Sequence, residues 1–162
     1  KVKEYLDKEH IESFIPMRYV EKECQGKKTR QLVPAIHNLL FIHTCRKKIE
    51  EFKRFSLLSS KIRYIMDNNH VPTIVPDKQM MDFIAVAGTL NEHIMYVDPL
   101  EIHLKKGESV NGGIWEGVVG KFVRIKRGLR VVIAIEGVAA VATASLHPSL
   151  VDSIEKKEGF DE

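Results

Sequence analysis

Glycines divide the second half of the chain into short runs that are rich in valine and isoleucine. Between Gly107 and residue 144 they stand at positions 112, 113, 117, 120, 128 and 137 of the 162 residues. The runs between them cover residues 122–125, 131–135 and 138–144. β-Branched runs spaced by about ten residues and joined by glycine turns are typical of small antiparallel barrels. The pattern therefore predicts a compact β-barrel over residues 106–155.

The first half carries three segments with helical periodicity. Apolar residues three and four apart predict amphipathic helices over residues 2–11, 46–55 and 77–87. Thr44 is predicted to cap the second of these helices, and Gly88 is a natural end for the third. The Pro-bounded segment 71–76 before the third helix should be extended, because the residue before a proline avoids the helical region.

Between the helices the pattern indicates strands. A strand with Pro16 near its start leads into a polar hairpin tip at 21–30, and a buried strand fits the run Leu39-Leu40-Phe41-Ile42. Alternation at Ile62, Tyr64 and Met66 predicts a further strand. The resulting order is typical of an α+β split β-α-β sandwich, given one more strand before Lys1. The predicted domains are therefore 1–88 and 106–155, joined by a linker at 89–105.

Composition and charge narrow the class of protein. Hydrophobic residues make up 44% and charged residues 29%, which is ordinary for a soluble folded chain. No apolar run approaches the roughly 20 residues that a bilayer requires, no signal peptide is visible, and two cysteines fit a reducing compartment. We therefore expect a cytoplasmic monomer without a membrane partner. The net charge of +3 permits contact with nucleic acid without demanding it.

No motif of a nucleotide-dependent, hydrolytic or zinc enzyme occurs in the chain. His43 and Cys45 would point to one side of a strand, and His37 lies nearby, so a metal-dependent or hydrolytic enzyme is one alternative. A closed zinc site needs further ligands at suitable spacing, which the sequence does not offer. We expect no catalytic residue, no metal and no cofactor.

The glycine-rich block resembles the KOW motif of transcription and ribosomal proteins. The positions that carry the resemblance are Val110, Gly113, Gly117, Gly120 and Val123. The resemblance implies a five-stranded KOW or SH3-like barrel. Trp115 lies among these glycines, where it either packs as a lid on the barrel or stands exposed as a partner contact.

Together with the glycine-rich block, the first half of the chain resembles the NusG family. Pro34, Phe41 and Ile42 agree with the family's proline-led apolar segment, whereas residues 37–39 replace its second proline, glycine and tyrosine. The Pro-bounded segment 71–80 resembles the family's entry into the last helix of its N-terminal domain. The departures at 37–39 indicate a specialised, operon-specific paralogue of the antitermination type.

The resemblance implies a non-enzymatic transcription elongation and antitermination factor that binds the clamp of RNA polymerase and suppresses pausing or termination in long operons. The polymerase-binding residues that it implies are Pro34, Ile36, Leu39, Phe41, Ile65 and Met66. Alternate residues of a strand face opposite sides, so Leu39 and Phe41 share one side and Leu40 and Ile42 share the other. The resemblance implies that Leu39 and Phe41 face outward.

Two further kinds of partner are expected. A basic helix face is predicted to contact single-stranded DNA or nascent RNA through Arg46, Lys47, Lys48, Lys53 and Arg54. The cations at the hairpin tip, Lys27, Lys28 and Arg30, are a second such surface. The KOW domain is expected to recruit a termination helicase or a ribosomal protein. The alternative to this whole account is a ribosome- or RNA-binding KOW protein.

Overall fold

The structure is a computed structural model. It describes residues 1–99, 108–110 and 113–153, and for 108–110 and 151–153 the backbone alone. Residues 100–105 of the predicted linker lie outside the described part. In the described ranges, no helix has the length and apolar character needed to cross a membrane.

The chain is a mixed α+β protein, as predicted. Its helices are α1 (Val2–Lys8), α2 (Arg46–Phe55) and α3 (Asp77–Ala87), with two 3-10 helices at Ser59–Lys61 and Pro148–Leu150. Its strands are β1 (Glu12–Phe14), β2 (Met17–Cys24), β3 (Lys27–Pro34), β4 (Phe41–His43), β5 (Met95–Val97), β6 (Glu108–Val110), β7 (Val119–Ile125), β8 (Gly128–Ile135), β9 (Ala139–Ala142) and β10 (Val151–Ser153). The bounds of α2 and α3 agree with the periodicity of the sequence, and Gly88 follows α3 as its C-cap.

The cap predicted for α2 is wrong. Cys45, with an extended backbone, is the N-cap residue, and no side chain bonds to the end of the helix there. Thr44 lies one residue too early to reach the free N–H groups of the first turn.

The strands of the first half do not join in one sheet. β1 pairs antiparallel with β4, and β2 pairs antiparallel with β3, in two separate two-stranded sheets. The predicted strand at residues 62–66 is wrong, because this segment makes one isolated bridge, Met66 to Pro72, instead of a ladder. The described strands therefore do not form the single sheet that a split β-α-β sandwich requires.

The glycine-rich half forms a six-stranded antiparallel sheet. Its order is β10-β6-β7-β8-β9-β5. Five of these strands lie in the predicted barrel region, and β5 adds to the edge of β9. Residues 95–97 therefore form a strand inside the segment that was predicted as linker. They do so because Met95 and Val97 pack against the buried cluster of Val132, Ala140 and Ala142.

The chain divides into two compact units that do not follow the predicted sequential boundaries. The first comprises Lys1–Pro16 and His37–Ile74, and the second comprises Met17–Ile36 and Val75–Glu162. In the first unit, Leu6 is fully buried, and the rings of Tyr5 and Phe52 lie 5.1 Å apart, which joins α1 to α2.

In the second unit, α3 covers one face of the sheet at β8 and β9. Phe83, Val86 and Ala87 of α3 are fully buried. This packing explains why α3 belongs to the second unit, although the sequence places it in the first domain.

Candidate functional site

Helix α2 carries all five of the predicted nucleic-acid-binding residues. Arg46, Lys47, Lys48 and Arg54 are exposed, and Lys53 is half-buried. The Arg46 Nε donates a 2.7 Å hydrogen bond to Glu50 Oε1, and this bond, with the attraction of the Glu50 charge, raises the pKa of Arg46 above its ordinary value. One of the five cations is therefore compensated within the helix.

Two other cations of α2 lie against aromatic rings. The Lys53 Nζ is 4.1 Å from the centre of the Tyr64 ring, and the Arg54 guanidinium is 5.9 Å from that of Phe55. Both distances are within the range of cation–π attraction. Phe55 is 76% exposed, so the end of α2 presents an aromatic ring and charges together.

The predicted outward face at Leu39 and Phe41 is wrong for Leu39. Its side chain is buried, with 8% of its surface exposed, and Phe41 is half-buried. Asn38 adopts a left-handed conformation with φ of 56°, and β4 begins only at Phe41. Leu39 therefore precedes the strand, and the alternation that was expected over residues 39–42 does not apply to it.

Ile65 and Met66 are exposed, as a surface role requires, with 44% and 51% of their surfaces accessible. They lie beside the extended segment 71–74, because the Thr73 N–H donates to the Ile65 carbonyl at 2.8 Å and Met66 bridges Pro72. Val71 and Ile74 are exposed on that neighbouring segment.

Sequence reasoning missed most of this apolar surface. We call it the 55–74 surface; its exposed apolar members are Phe55, Leu57, Ile65, Met66, Val71 and Ile74. Leu57 is 98% and Ile74 86% exposed. The signal in the sequence was an apolar pair, Leu57 and Leu58, between serines, and an isoleucine, Ile74, between two prolines. Ile65, Met66 and Val71 lie on neighbouring segments, and exposed apolar patches of this kind mark interaction sites.

The other predicted polymerase-binding residues lie in the second unit. Pro34 ends β3 and is exposed, and Ile36 follows it and is half-buried. The six predicted residues are therefore distributed over two units, with Leu39, Phe41, Ile65 and Met66 in the first.

The predicted KOW residues border β6 and β7. Val110 ends β6, and Val123 lies on β7, where it packs against the Val132 cluster. Gly113 and Gly117 have φ of 78° and 81°, in the region that favours glycine.

Trp115 is buried, with 5% of its surface exposed, so it is not an exposed partner contact. Gly120 allows β7 to approach β8 closely: a Cβ there would stand 2.6 Å from Val131 Cγ1. These glycines therefore serve the turns and close packing of the sheet.

The residues of the enzyme alternative lie around β4 and the start of α2. His43 Nδ1 lies 2.8 Å from Glu12 Oε2 across the β1–β4 pair, and Cys45 is exposed at the start of α2. Within the described ranges, no group of three His, Cys, Asp or Glu side chains is placed to hold a metal ion.

These observations define the class of protein. It is a mixed α+β protein whose first unit carries a basic helix and exposed apolar residues, and whose second unit carries an antiparallel sheet with glycines at its turns. A family model described as transcription termination factor nusG matches residues 1–84, which is more than half of the chain. The chain therefore belongs to the NusG family, whose role lies in transcription termination and elongation and whose partners include RNA polymerase. No curated protein matches the chain.

Proposed function

We propose that the chain is a transcription elongation and antitermination factor that binds the clamp of RNA polymerase and suppresses pausing or termination in long operons. The observation that carries the proposal is the family match over residues 1–84. A specialised paralogue with no enzymatic activity and no cofactor is part of the same proposal.

The mechanism is a shift of population. A protein that binds the closed clamp more tightly than the open clamp multiplies the ratio of closed to open clamps by the ratio of its two affinities, once it is saturating. A hundredfold ratio, worth about 2.7 kcal/mol, is enough to make a minor closed state dominant. No chemical step is needed, and the factor acts for as long as it stays bound.

The 55–74 surface supports the proposed docking on the clamp. Its members have apolar side chains on the first unit, and Phe55 supplies an aromatic residue of the kind that anchors interfaces. Because Leu39 is buried, we propose that Ile65 and Met66, with their neighbours at 55–74, carry the contact in its place. Phe41, Pro34 and Ile36 remain predicted contributors.

Helix α2 supports contact with single-stranded DNA or nascent RNA in the transcription bubble. Its exposed lysines attract phosphates, and an exposed aromatic ring beside Arg54 offers a stacking surface for an unpaired base. The helix and the 55–74 surface lie on one unit, so a factor bound to polymerase would present both together.

We propose that the second half is the KOW domain that the sequence predicts over residues 106–155. Strands β6, β7, β8 and β9 are neighbours in chain order in the antiparallel sheet. The last strand, β10, pairs with the free edge of β6. Because β9 also pairs with β5, the outer strands of the sheet are β10 and β5, and closure into a barrel would bring these two strands together. The proposed partner of this domain is a termination helicase or a ribosomal protein.

The test measures binding to core RNA polymerase. Leu57→Arg and Ile74→Arg, combined in the full chain, should weaken binding at least tenfold, because both side chains are exposed and apolar. The matched control is Ile114→Arg, which is 68% exposed outside the 55–74 surface and should bind like wild type. Equal binding by all three proteins contradicts the proposed surface.

A transcription assay distinguishes the proposed elongation factor from the alternative, a ribosome- or RNA-binding KOW protein. In single-round transcription, wild-type protein should shorten pauses, and the Leu57/Ile74 double variant should not. Salt-sensitive binding to ribosomal RNA without any effect on pausing would instead favour the ribosome- or RNA-binding KOW protein.

A further inference from the structure

The β2–β3 hairpin has one strand edge whose backbone groups point away from its partner. Its turn is Gln25-Gly26, with φ of 52° and 75°, and it connects the paired residues Cys24 and Lys27. A two-residue turn with positive φ at both positions is closed by a hydrogen-bonded pair. Because such pairs alternate along an antiparallel ladder, residues 17, 19, 21 and 23 direct their N–H and C=O groups outward.

A contact at the base of the hairpin agrees with this geometry. The Tyr96 Oη donates a 3.2 Å hydrogen bond to the Met17 carbonyl, which must therefore point away from β3. Burial raises the pKa of Tyr96 to about 12, so the phenol keeps the proton that it donates. Among the described strands β2 pairs with β3 alone, which leaves Tyr19 and Glu21 without a ladder on the outer side.

A cleft of about 480 Å³ borders this free edge. One wall is the base of the hairpin, residues 17–21 with Arg30, and the other is formed by residues of the segment 90–96. The free edge of β2 therefore faces open space instead of another strand. Such an edge is the usual place where an extended peptide adds to a sheet.

The opposite wall is held in place before any ligand arrives. The Arg130 Nη1 donates to the His93 carbonyl at 2.6 Å, and the His93 N–H donates to Asn91 Oδ1 at 2.8 Å. Leu90 has φ of 52°, a conformation that a leucine seldom adopts. Backbone strain of this kind concentrates at ligand-binding sites.

The two faces of the hairpin differ in charge. The register places Arg18, Lys22 and Lys27 on one face, and none of the described acidic residues of the hairpin lies there. On the other face Glu21 stands opposite Arg30, and Glu23 stands opposite Lys28, so those charges compensate one another. Arg30 also pairs with Glu92 and lies 4.2 Å from the centre of the Tyr19 ring.

We propose that the free edge of β2 binds an extended peptide strand of a partner protein, in which acidic residues alternate with apolar ones. The peptide backbone pairs with the N–H and C=O groups of Tyr19 and Glu21. Its acidic side chains lie beside Arg18 and Lys22 on the uncompensated face, and its apolar side chains lie beside Tyr19 on the other. The hairpin belongs to the second unit and the 55–74 surface to the first, and the peptide proposal does not depend on binding to the polymerase.

The first experiment uses a synthetic probe. An acetylated, amidated and fluorescently labelled peptide that alternates glutamate with valine is titrated with the full chain, and binding is followed by anisotropy. A second peptide that alternates lysine with valine should bind at least tenfold more weakly. Failure of the glutamate peptide to bind, or equal binding of the two, overturns the proposal.

Proline variants distinguish the two edges of the same hairpin. Glu21→Pro removes an N–H that points into the cleft, and Lys28→Pro removes an N–H that points outward from β3. Neither N–H belongs to the β2–β3 ladder, so both variants should keep the hairpin, which cross-strand nuclear Overhauser effects will verify. We expect at least a tenfold loss of binding for Glu21→Pro and none for Lys28→Pro. Equal losses overturn the proposal.

Charge reversal tests the assigned face. Lys22→Glu should weaken binding of the glutamate peptide several-fold, whereas Lys28→Glu, which makes the same change on the compensated face, should leave it within twofold. A short oligothymidylate serves as competitor. If it displaces the peptide completely and its own binding is insensitive to Glu21→Pro, the site is one for nucleic acid and the peptide proposal is wrong.

Discussion

The strand pairs β2–β3 and β8–β9 of the second unit are both antiparallel, but they differ in how far their side chains are buried. In the β2–β3 hairpin, every residue from 21 to 32 is exposed, whereas every residue of β9 is buried. The β8–β9 pair is covered by α3 on one side and packs around the Val132 cluster on the other.

The difference shows what maintains each pair. An isolated two-stranded hairpin is marginally stable in water, so β2–β3 depends on its turn, its cross-strand charge pairs and its contacts with residues 90–96. The β8–β9 pair gains its stability from buried apolar area, which is worth about 25 cal/mol per Å². The exposed pair therefore has little buried apolar area of its own, whereas the buried pair belongs to the core of the second unit.

The largest effect is expected on the buried side. Phe83→Ala removes a fully buried ring from the cover of β8 and β9 and should lower the free energy of unfolding by about 3–5 kcal/mol. Tyr19→Ala, at a hairpin ring that is 43% exposed, should lower it by less than about 1 kcal/mol. Urea denaturation measures both, and equal losses would contradict the contrast between the two pairs.

A smaller loss is expected where the strands approach closely. Gly120→Ala places a Cβ 2.6 Å from Val131 Cγ1 and from the Val132 carbonyl oxygen. Neither neighbour is a flexible chain end, so the overpacking should reduce stability by about 1–3 kcal/mol. The midpoint of thermal unfolding reports the change. An unchanged midpoint would mean that the strands separate freely at this position.

The turn of the hairpin should respond locally. Gly26→Ala introduces a side chain at φ of 75° with no atom within 4 Å, so only backbone strain of about 1 kcal/mol opposes it. Hydrogen exchange of the β2–β3 amides should then accelerate about fivefold, while the β8–β9 amides keep their rates. Uniform acceleration of both pairs would contradict independent opening of the hairpin.

The smallest effect concerns the contact at the hairpin base. The pKa of Tyr96 is raised from about 10 to about 12, so the folded state favours the neutral phenol. The stability that this contributes is complete below pH 10 and is lost as the pH rises toward 12. Tyr96→Phe should remove the late phase of the phenolate absorbance titration and lower stability at neutral pH by about 1 kcal/mol. A variant that retains the late phase would contradict the assignment.

Local sequence signals were sufficient for some elements. The bounds of α2 and α3 followed from periodicity and from Gly88, and the hairpin tip followed from Gly26 among polar residues. Each of these signals acts within a few residues along the chain, where backbone preferences decide the outcome.

Tertiary packing decided the rest. Residues 95–97 have no clear pattern and become a strand because β9 offers an edge and the Val132 cluster offers burial. Leu39 was predicted within a strand, whereas β4 begins only at Phe41, after a left-handed turn at Asn38, and the Leu39 side chain is buried.

The central claim, that the 55–74 surface meets RNA polymerase, is tested most directly by photo-crosslinking. A benzoylphenylalanine is placed at Leu57 in one protein and at Ile114 in another, and each is irradiated with core polymerase. The account predicts crosslinks from position 57 to the subunit that forms the clamp and none from position 114. No polymerase crosslink from position 57, under conditions where the protein binds the enzyme, would contradict it.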